Sequence, residues 1–552
     1  MFDEIDFSSI QIENARELIQ RLLNLVEKVS ADLRDAQIEN QHLRDEINRL
    51  KGEQGKPEIK GNTPKATFQD HSSEKERRKP CERHKSSKQA KIEINREQVV
   101  EVDSAILPPD AKFKGYVDVV VQDIVVRTDN VLFHKAKYYA ASTQKSYQAE
   151  LPRGYKGQFG PGIQALTLAL YYGMQASEPK ILEFYENVGI QISEGELSNW
   201  LIKHQESFHA EKDGVYEAGL RSSPCQHIDD TVTRLDGQNQ HCHVVCNPVY
   251  TAYHTRPNKD RLSVLDVLRN RRERLFRLNA EALGYLKGLP LSKAVWEILQ
   301  NWTAEGGEQD LDEVTFLERL KTDLPSLGKQ QCKALIDAAA VAAYHAETEW
   351  PVIQALICDD APQFNWLTYV MMLCWVHEGR PYKKLMSVVA LHRQMLDDFL
   401  KRFWDYYHQL LAYKQQPTPE ESVRLEADFD TLFATHSGYD ELDKRIAKTQ
   451  AKKASLLLVL KHPELPLHNN PAELGARQRV RKRDVSFGPR TQDGVRAWDT
   501  FATLAATAKK LDVSFYHYLF DRISGANKIP PMADLVSKRA KELNLGWSFS
   551  IP

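Results

Sequence analysis

Apolar residues recur at alternating steps of three and four between residues 12 and 50, and this is the clearest periodic pattern in the chain. A 3.5-residue repeat is the heptad signature of helices that wind around each other, so it predicts a leucine-zipper-like coiled coil over residues 10–51. Asn40 falls within the seam, where a buried amide fixes the register of two parallel copies. We therefore expect a homodimer or higher oligomer; a single amphipathic helix packed on the rest of the protein is the alternative. The seam positions are Ile19, Val26, Leu33, Asn40 and Ile47 at a, and Leu22, Val29, Ala36, Leu43 and Leu50 at d.

Two weaker patterns follow the heptads. Residues 52–91 lose all apolar periodicity and are dominated by Gly, Pro, Ser, Lys and Glu. This predicts a flexible linker, whose basic second half is either a phosphate-binding arm or merely solvated. Residues 92–150 contain two runs rich in β-branched residues, at 117–121 and 123–126, which predict a small β unit.

Residues 151–210 are predicted to be helical. Ile181 and Tyr185 have helical spacing, Gly189 interrupts that helix, and the run from Ser193 to Glu196 is a capping-box pattern that opens a second one. A helix, a glycine turn and a capped helix are typical of a helix-turn-helix DNA-binding unit, but also of plain packing pairs.

Strand-like and helical patterns alternate over residues 222–490, which predicts a mixed, helix-rich α/β domain. Short apolar runs stop at Asp229 and at Asp359, as at the end of a buried strand, and Asp236-Gly237 is a hairpin turn signal. Helical insertions are predicted near 270–345 and 380–465, and a C-terminal helical region over 491–552.

Composition narrows the class of protein. A net charge of −2 over 552 residues gives no global signal for nucleic acid, and seven cysteines are too few and too odd in number for a disulfide scaffold. No apolar run reaches the ~18 residues of a membrane span, and the acidic N-terminus lacks a signal-peptide pattern. We expect a cytoplasmic protein. The sequence contains neither GxxxxGK[ST] nor GxSxG, which argues against a P-loop ATPase and an α/β-hydrolase.

Three acidic residues are the candidate catalytic groups: Asp229, Asp359 and Glu473. Two strand-end aspartates and one helical glutamate can hold a pair of Mg²⁺ or Mn²⁺ ions, and such a pair cuts and joins phosphodiesters. Each acid has a structural alternative. The aspartates can be turn or cap residues, with Asp230 and Asp360 as neighbouring substitutes. Glu473 falls at the capping-box position if Asn470 caps its helix, with Pro471 in the first turn.

The helix that carries Glu473 is strongly basic. It has no acidic residue between Glu473 and Asp484, whereas a salt-bridged surface helix would mix both signs. We interpret it as a DNA-binding face beside the candidate metal site. The predicted DNA-binding residues are Arg477, Arg479, Arg481, Lys482 and Arg483.

Zinc is a further alternative. Cys374 and His377 have ligand-like spacing, and Cys225, His227, Cys242 and Cys246 are also available. Because the sequence has no CxxC, a four-ligand site needs an irregular set. A buried thiol beside a hydrogen-bonded histidine is favoured over zinc.

At Asp229, at Asp359, at Cys374-Trp-Val-His377 and at the Asn-Asn-Pro-Ala-Glu run ending in Glu473, the chain resembles bacterial DDE transposases, and more narrowly the insertion-sequence sixty-six family. That family has a zipper-like N-terminal helix and an RNase H-like catalytic domain. The resemblance implies metal-dependent cleavage at the ends of an insertion element and strand transfer into target DNA, with Asp229, Asp359 and Glu473 as catalytic metal ligands. It favours Asp229 over Asp230, because Asp and Thr match the family frame, and Asp359 over Asp360 more loosely.

Two departures from the family pattern stand out. Residues 52–150 contain only Cys81 where the family carries a cysteine-rich zinc segment, and the stretch between Asp229 and Asp359 is longer than expected, which suggests the helical insertion near 270–345. The alternatives to a transposase are an inactive DNA-binding relative that acts as a regulator, and an RNase H-like nuclease without strand transfer.

Overall fold

The computed structural model describes residues 13–51, 92–103, 106–155 and 157–546. The predicted basic linker at 52–91 lies outside the described residues. Helices dominate this part of the chain, and the strands gather mainly in one sheet. The helices are α1 (Glu13–Leu50), α2 (Pro161–Leu168, continued by a π-helical turn at Ala169–Gly173), α3 (Glu178–Asn187), α4 (Glu194–Ile202), α5 (Glu206–Arg221), α6 (Arg261–Leu268), α7 (Ala280–Leu286), α8 (Lys293–Gly306), α9 (Glu313–Asp323), α10 (Lys329–His345), α11 (Trp375–Lys383), α12 (Ala390–Tyr413), α13 (Pro419–Phe433), α14 (Asp440–Gln450), α15 (Lys453–Leu456), α16 (Asn470–Ser486), α17 (Gln492–Lys510), α18 (Phe515–Ile523) and α19 (Met532–Glu542). The strands are β1 (Lys137–Ala140), β2 (Lys145–Gln148), β3 (Cys225–Leu235), β4 (Gln238–Asn247), β5 (Tyr250–Arg256), β6 (Leu275–Phe276), β7 (Leu311–Asp312), β8 (Ala355–Cys358) and β9 (Val370–Leu373).

The central sheet is mixed and has the strand order β5-β4-β3-β8-β9. Strands β3, β4 and β5 form an antiparallel meander, whereas β8 and β9 run parallel to β3. The predicted hairpin turn is confirmed: Asp236 and Gly237 join β3 to β4 with positive φ values of 46° and 79°. The mixed, helix-rich α/β class expected from the sequence is therefore present.

The predicted insertion between the two aspartates is also helical. Helices α6 to α10 and the short β6–β7 ladder lie between β5 and β8 in the chain. Because parallel strands cannot be joined by a tight turn, this long connection can carry the chain from the meander back to pair β8 beside β3.

Helix α17 protects the exposed edge of the sheet. Strand β5 is an edge strand, and its outward N–H groups come every second residue, about 6.7 Å apart. Side chains four residues apart on a helix are spaced about 6 Å apart, so one helical stripe can follow the strand and satisfy the edge. Three N–H groups donate to that stripe: Thr251 to Thr507 Oγ1 (3.3 Å), Tyr253 to Thr503 Oγ1 (3.0 Å) and Thr255 to Asp499 Oδ2 (2.7 Å).

Helix α16 packs directly against one face of the same sheet. A Cβ added to Gly475 would meet Val244 Cγ1 at 2.7 Å, so only glycine allows this approach. Tyr253 donates from its hydroxyl to the Gly475 carbonyl at 3.2 Å, which ties β5 to the helix. The close packing fixes the position of the first turn of α16, which carries Glu473.

The β unit expected at 92–150 is much smaller than predicted. The residues at 117–121 and 123–126 form no strand, and Val117 is 91% exposed. Only the β1–β2 hairpin is formed, between Lys137 and Gln148. These residues are β-branched, but a strand also needs a second strand to pair with, and they have none among the described residues.

Within residues 151–210, which were predicted to be helical, the structure has helices α2, α3 and α4 and the start of α5. Gly189 has φ +80° between α3 and α4, and Ser193 Oγ accepts the Glu196 N–H at 3.2 Å. The C-terminal helical region contains α17, α18 and α19. Within the described ranges, no helix combines the length and apolar composition needed to cross a bilayer.

Helix α1 packs on the body along one side. Leu23 is buried, and the buried Glu27 carboxylate accepts the Ser387 hydroxyl and the N–H groups of Val388 and Val389. Neighbouring heptad positions, including Leu33 and Leu43, remain exposed. The helix is therefore docked on the body while most of its seam faces outward.

Candidate active site

The sheet aligns the two aspartates that the sequence singled out. His227 on β3 pairs with Ile357 on the parallel strand β8, and this is the last pair of the ladder. Asp229 and Asp359 each follow their member of this pair by two residues, so the register would place them level if it continued past the end of β8 at Cys358. Level residues on adjacent parallel strands share a face, about 4.8 Å apart. The sheet thus brings together two segments of the chain that lie 130 positions apart.

Electrostatics agree with this alignment. The pKa of Asp229 is raised to about 7, mainly by burial and also by the neighbouring charges of Asp359 and Glu473, while the Asp230 N–H bound to its carboxylate opposes the rise. Burial also raises the pKa of Asp359, with His377 opposing it. Asp229 is therefore within electrostatic reach of both Asp359 and Glu473.

The neighbouring acids have other roles. Asp230 accepts a hydrogen bond from Gln363 Nε2 at 3.0 Å. Asp360 is half exposed and pairs with Lys452 at 2.6 Å. Both neighbours therefore have other partners, although the charges of both also raise the pKa of Asp359.

Glu473 enters from α16, but not as a capping-box residue. The helix is capped by Asn469, one residue earlier than the sequence suggested, and no side-chain cap bond is made. The Glu473 carboxylate is 8% exposed and contacts α11 instead: Oε2 accepts Arg380 Nη2 at 2.8 Å, and Oε1 lies 3.4 Å from His377 Nδ1. The capping-box bond that the sequence offered as the alternative role of Glu473 is therefore not made.

Asn469 holds the first turn of α16 against the sheet. It is buried, donates from Nδ2 to the Ile228 carbonyl at 2.7 Å, and its Oδ1 lies 2.9 Å from His227 Nδ1. Its N–H donates to Cys374 Sγ at 3.2 Å. Sequence reasoning treated Asn469 only as part of a motif; its polar side chain in an otherwise apolar approach, Leu465 to Leu467, was the available signal.

Cys374 and His377 connect α11 to the same pocket. The Cys374 sulfur precedes α11 and accepts backbone N–H groups, including that of His377, while burial raises its pKa to about 11. A sulfur, nitrogen and oxygen from Cys374, His377 and Glu473 lie within 4.8 Å of one another. The His377 ring also interacts electrostatically with Asp359, and burial lowers its pKa. The CxxH motif thus connects Asp359 with Glu473.

The basic run of α16 is divided between two faces. Arg477 and Arg481 are exposed, whereas Arg479 and Lys482 are buried. Arg479 pairs with Asp499 at 3.2 Å, and Lys482 lies 3.3 Å over the Tyr171 ring and donates to the Ala176 carbonyl.

Arg483 reaches the Val232 carbonyl on β3 from the same helix. The expectation that all five basic residues face DNA therefore needs correction. In this conformation Arg479 and Lys482 cannot contact a phosphate, because both are enclosed by α17 and the π-helical turn.

A broad cleft of about 1770 Å³ opens beside Glu473. Eight basic residues line it against two acidic ones, Glu473 and Asp512. Such an excess of positive charge in a concave surface favours a polyanion. The exposed basic residues of this cleft are Arg380, Lys383, Arg477, Arg481 and Lys509.

The acids fit a hard cation. Glu473 Oε1 is buried and has no hydrogen-bond partner among the described residues, and Asp229 is desolvated among like charges. Buried carboxylates of this kind are stabilised by a divalent cation with oxygen ligands. Among the described residues, the ligand atoms that lie within 4.8 Å of one another belong to Cys374, His377 and Glu473, and those of the two aspartates are not in this group. Asp229, Asp359 and Glu473 could supply those ligands.

Comparisons with known proteins point to one family. The model of the Transposase IS66 family matches residues 156–276 and 341–497. The gap between the two segments, 277–340, falls within the helical insertion. An uncharacterized protein of Sinorhizobium fredii (strain NBRC 101917 / NGR234), y4jO, is 32% identical over 330 residues, which is 59% of this chain and all of that protein.

Proposed function

The chain belongs to the Transposase IS66 family, and from this membership we propose that it is a DNA transposase that cuts DNA at the ends of an insertion element and joins the freed ends to target DNA. The observation that supports the chemistry most directly is the register between β3 and β8. This register supports a site shared by Asp229 and Asp359, and the effect of the Glu473 charge on the pKa of Asp229 supports Glu473, from α16, as the third member. An RNase H-like assignment for the sheet is supported by its antiparallel meander flanked by two parallel strands.

In this proposal Asp229, Asp359 and Glu473 hold two Mg²⁺ ions, or Mn²⁺ in their place. When bound, the ions stabilise the attacking and leaving oxygens of an in-line phosphoryl displacement. The protein's own contribution is to position the three carboxylates and exclude water from them. Asn469 keeps the first turn of α16 at the sheet, and the exposed Arg477 and Arg481 contact DNA phosphates beside the cut.

The α1 helix provides the pairing surface in this proposal. Leu22, Val29, Leu33, Leu43 and Leu50 of the heptad seam are all exposed, although Leu23 on another side is buried. A second copy would cover that seam and bring two element ends together. Light scattering of the full chain tests this point: we expect at least a dimer, and a monomer after Leu33→Glu with Leu43→Glu.

The decisive experiment uses the DNA that flanks the gene. Inverted repeats found there are placed on a linear duplex and incubated with the full chain, Mg²⁺ and target plasmid. We expect nicking and joining by the wild-type chain. In Asp229→Asn and in Glu473→Gln the rate of both reactions should fall by a factor on the order of 10³ or more. Asp360→Asn is the matched control: Asp360 is half exposed and pairs with Lys452, so its loss should leave the rate within about threefold.

Other results assign other functions. Binding to the end DNA without Mg²⁺-dependent nicking selects the regulator. Nicking without joined products selects the nuclease. Wild-type joining by Glu473→Gln contradicts the catalytic assignment.

A further inference from the structure

Glu473 is already partly neutralised by the protein. Its Oε2 accepts the Arg380 guanidinium at 2.8 Å, and Arg477 lies 3.9 Å from the same oxygen. A carboxylate that ligates a cation must present an oxygen to it, so the guanidinium competes directly with any divalent ion at Oε2. Only Oε1 has no hydrogen-bond partner among the described residues.

Arg380 also sets the orientation of His377. A guanidinium is only a donor, so His377 Nε2 must accept from it. In the neutral ring the proton is then on Nδ1, 3.4 Å from Glu473 Oε1. Arg380 therefore holds Oε2 directly and fixes the tautomer of His377, while His377 Nδ1 and Glu473 Oε1 make no hydrogen bond with each other or with another described residue.

The same arginine faces the basic cleft. Its side chain is 44% exposed, and it lines the cleft together with Lys383, Arg477, Arg481 and Lys509. A phosphate drawn into this cleft meets a guanidinium whose two-pronged geometry suits a phosphate as well as a carboxylate. Arg380 is thus within reach of two competing anions, one internal and one external.

We propose that Arg380 is a displaceable counter-ion, which holds Glu473 while the cleft is empty and moves to a DNA backbone phosphate when a strand occupies the cleft. The move frees Glu473 for the metal ions, so that the metal site is completed only on DNA. This inference rests on the proposed function and adds its regulation. Linkage makes the effect reciprocal: DNA tightens metal binding, and metal tightens DNA binding.

The first test measures Mn²⁺ affinity of the full chain without DNA, from the free Mn²⁺ signal in electron paramagnetic resonance. Arg380→Met removes the competing charge and should tighten Mn²⁺ binding about tenfold or more. Arg481→Met is the matched control: it removes a charge from the same cleft, but lies eight residues beyond Glu473 on α16, about 12 Å along the helix. Its affinity should stay within about twofold of wild type. Equal affinity in Arg380→Met and wild type overturns the proposal.

The second test adds a short duplex of unrelated sequence at fixed concentration, with Mn²⁺ binding to the duplex alone subtracted. The duplex should tighten Mn²⁺ binding to wild type but produce little further change in Arg380→Met. Arg380→Lys, which keeps a charge on a shorter reach, should lie between the two. A duplex effect of equal size in wild type and Arg380→Met contradicts the proposal. Circular dichroism confirms that each variant is folded.

The two proposals fail in different ways. If Asp229→Asn and Glu473→Gln bind Mn²⁺ as wild type does, the metal site lies elsewhere and the proposed function loses its chemistry. If both variants lose Mn²⁺ while Arg380→Met behaves as wild type, only the counter-ion role of Arg380 is wrong.

Discussion

The two faces of α16 both carry basic side chains, but one face lines the cleft and the other packs against the rest of the protein. On one face Glu473, Arg477 and Arg481 follow each other at four-residue steps along the cleft. On the other face Arg479 and Lys482 are enclosed by aromatic rings and α17. The first face is available to bind DNA and ions, and the second joins the helix to the rest of the protein.

The difference shows that a run of positive charge is not one surface. Arginines two residues apart lie about 200° apart around a helix, so an alternating run such as 477, 479, 481 and 483 divides between two faces. Burial of an ionic side chain is tolerated only with a partner, and Arg479 has both Asp499 and the Thr255 hydroxyl. Helical periodicity applied to the basic run would have separated the two groups from sequence alone.

The largest expected difference is in the free energy of unfolding, between Arg479→Met and Arg481→Met. Loss of Arg479 leaves the Asp499 carboxylate buried beside β5 without its ion partner, so the free energy of unfolding should fall by about 3–5 kcal/mol. Arg481→Met should change it by less than about 0.5 kcal/mol. Denaturant unfolding followed by circular dichroism measures both. Adding Asp499→Asn to Arg479→Met should recover part of the loss, and equal stability of the two single variants contradicts the division into two faces.

Asn469→Ala tests the inward contact at the start of the helix. The Ile228 carbonyl and the His227 ring would lose their partner in a buried position, and we expect a loss of about 2–3 kcal/mol in the free energy of unfolding. Because the first turn of α16 would also loosen, Mn²⁺ binding should weaken in the folded variant. Unchanged stability together with unchanged Mn²⁺ affinity contradicts the positioning role.

Lys482→Met sharpens the comparison through pH. Burial lowers the pKa of Lys482 to about 7, with Glu178 partly opposing the shift. Between about 7 and 10.5 the unfolded chain binds this proton and the folded chain does not, so the Lys482 contribution to stability rises with pH in that window.

The charge-free variant should therefore gain most over wild type at or below pH 7. That gain should shrink by up to about 1.4 kcal/mol per pH unit on the way to pH 10. Melting temperatures of both proteins from pH 6 to pH 10 measure the trend. A difference that does not change with pH contradicts it.

The smallest expected effect is on the salt dependence of DNA affinity, through the face of α16 that lines the cleft. Arg481→Ala should lower the slope of log affinity against log salt by about 1, with little preference among sequences, because one phosphate contact is lost. Lys482→Met should leave that slope unchanged, since the Lys482 ammonium is enclosed. Fluorescence anisotropy at several salt concentrations measures both slopes, and equal slopes in the two variants contradict the assignment of faces.

The sequence by itself determined the local elements and the identity of the candidate acids. Heptads, the Asp236-Gly237 turn, the cap at Ser193 and the apolar runs before Asp229 and Asp359 depend on neighbouring residues. The corresponding helix, turn, N-cap and strands appear where they were expected, although only the Ser193 half of the predicted capping box is made. The β-branched runs at 117–126 did not form strands, because strand formation depends on a partner far along the chain.

Only the tertiary structure decided which of these elements meet. The register of β3 with β8 brings the segments that carry Asp229 and Asp359 side by side, and the close packing at Gly475 holds the first turn of α16, with Glu473, against the sheet. The pairing of Arg380 with Glu473 joins residues 93 positions apart, and no local pattern encodes it. Local patterns depend on residues within a few positions of each other, whereas a site assembled from three remote segments depends on how the whole core packs.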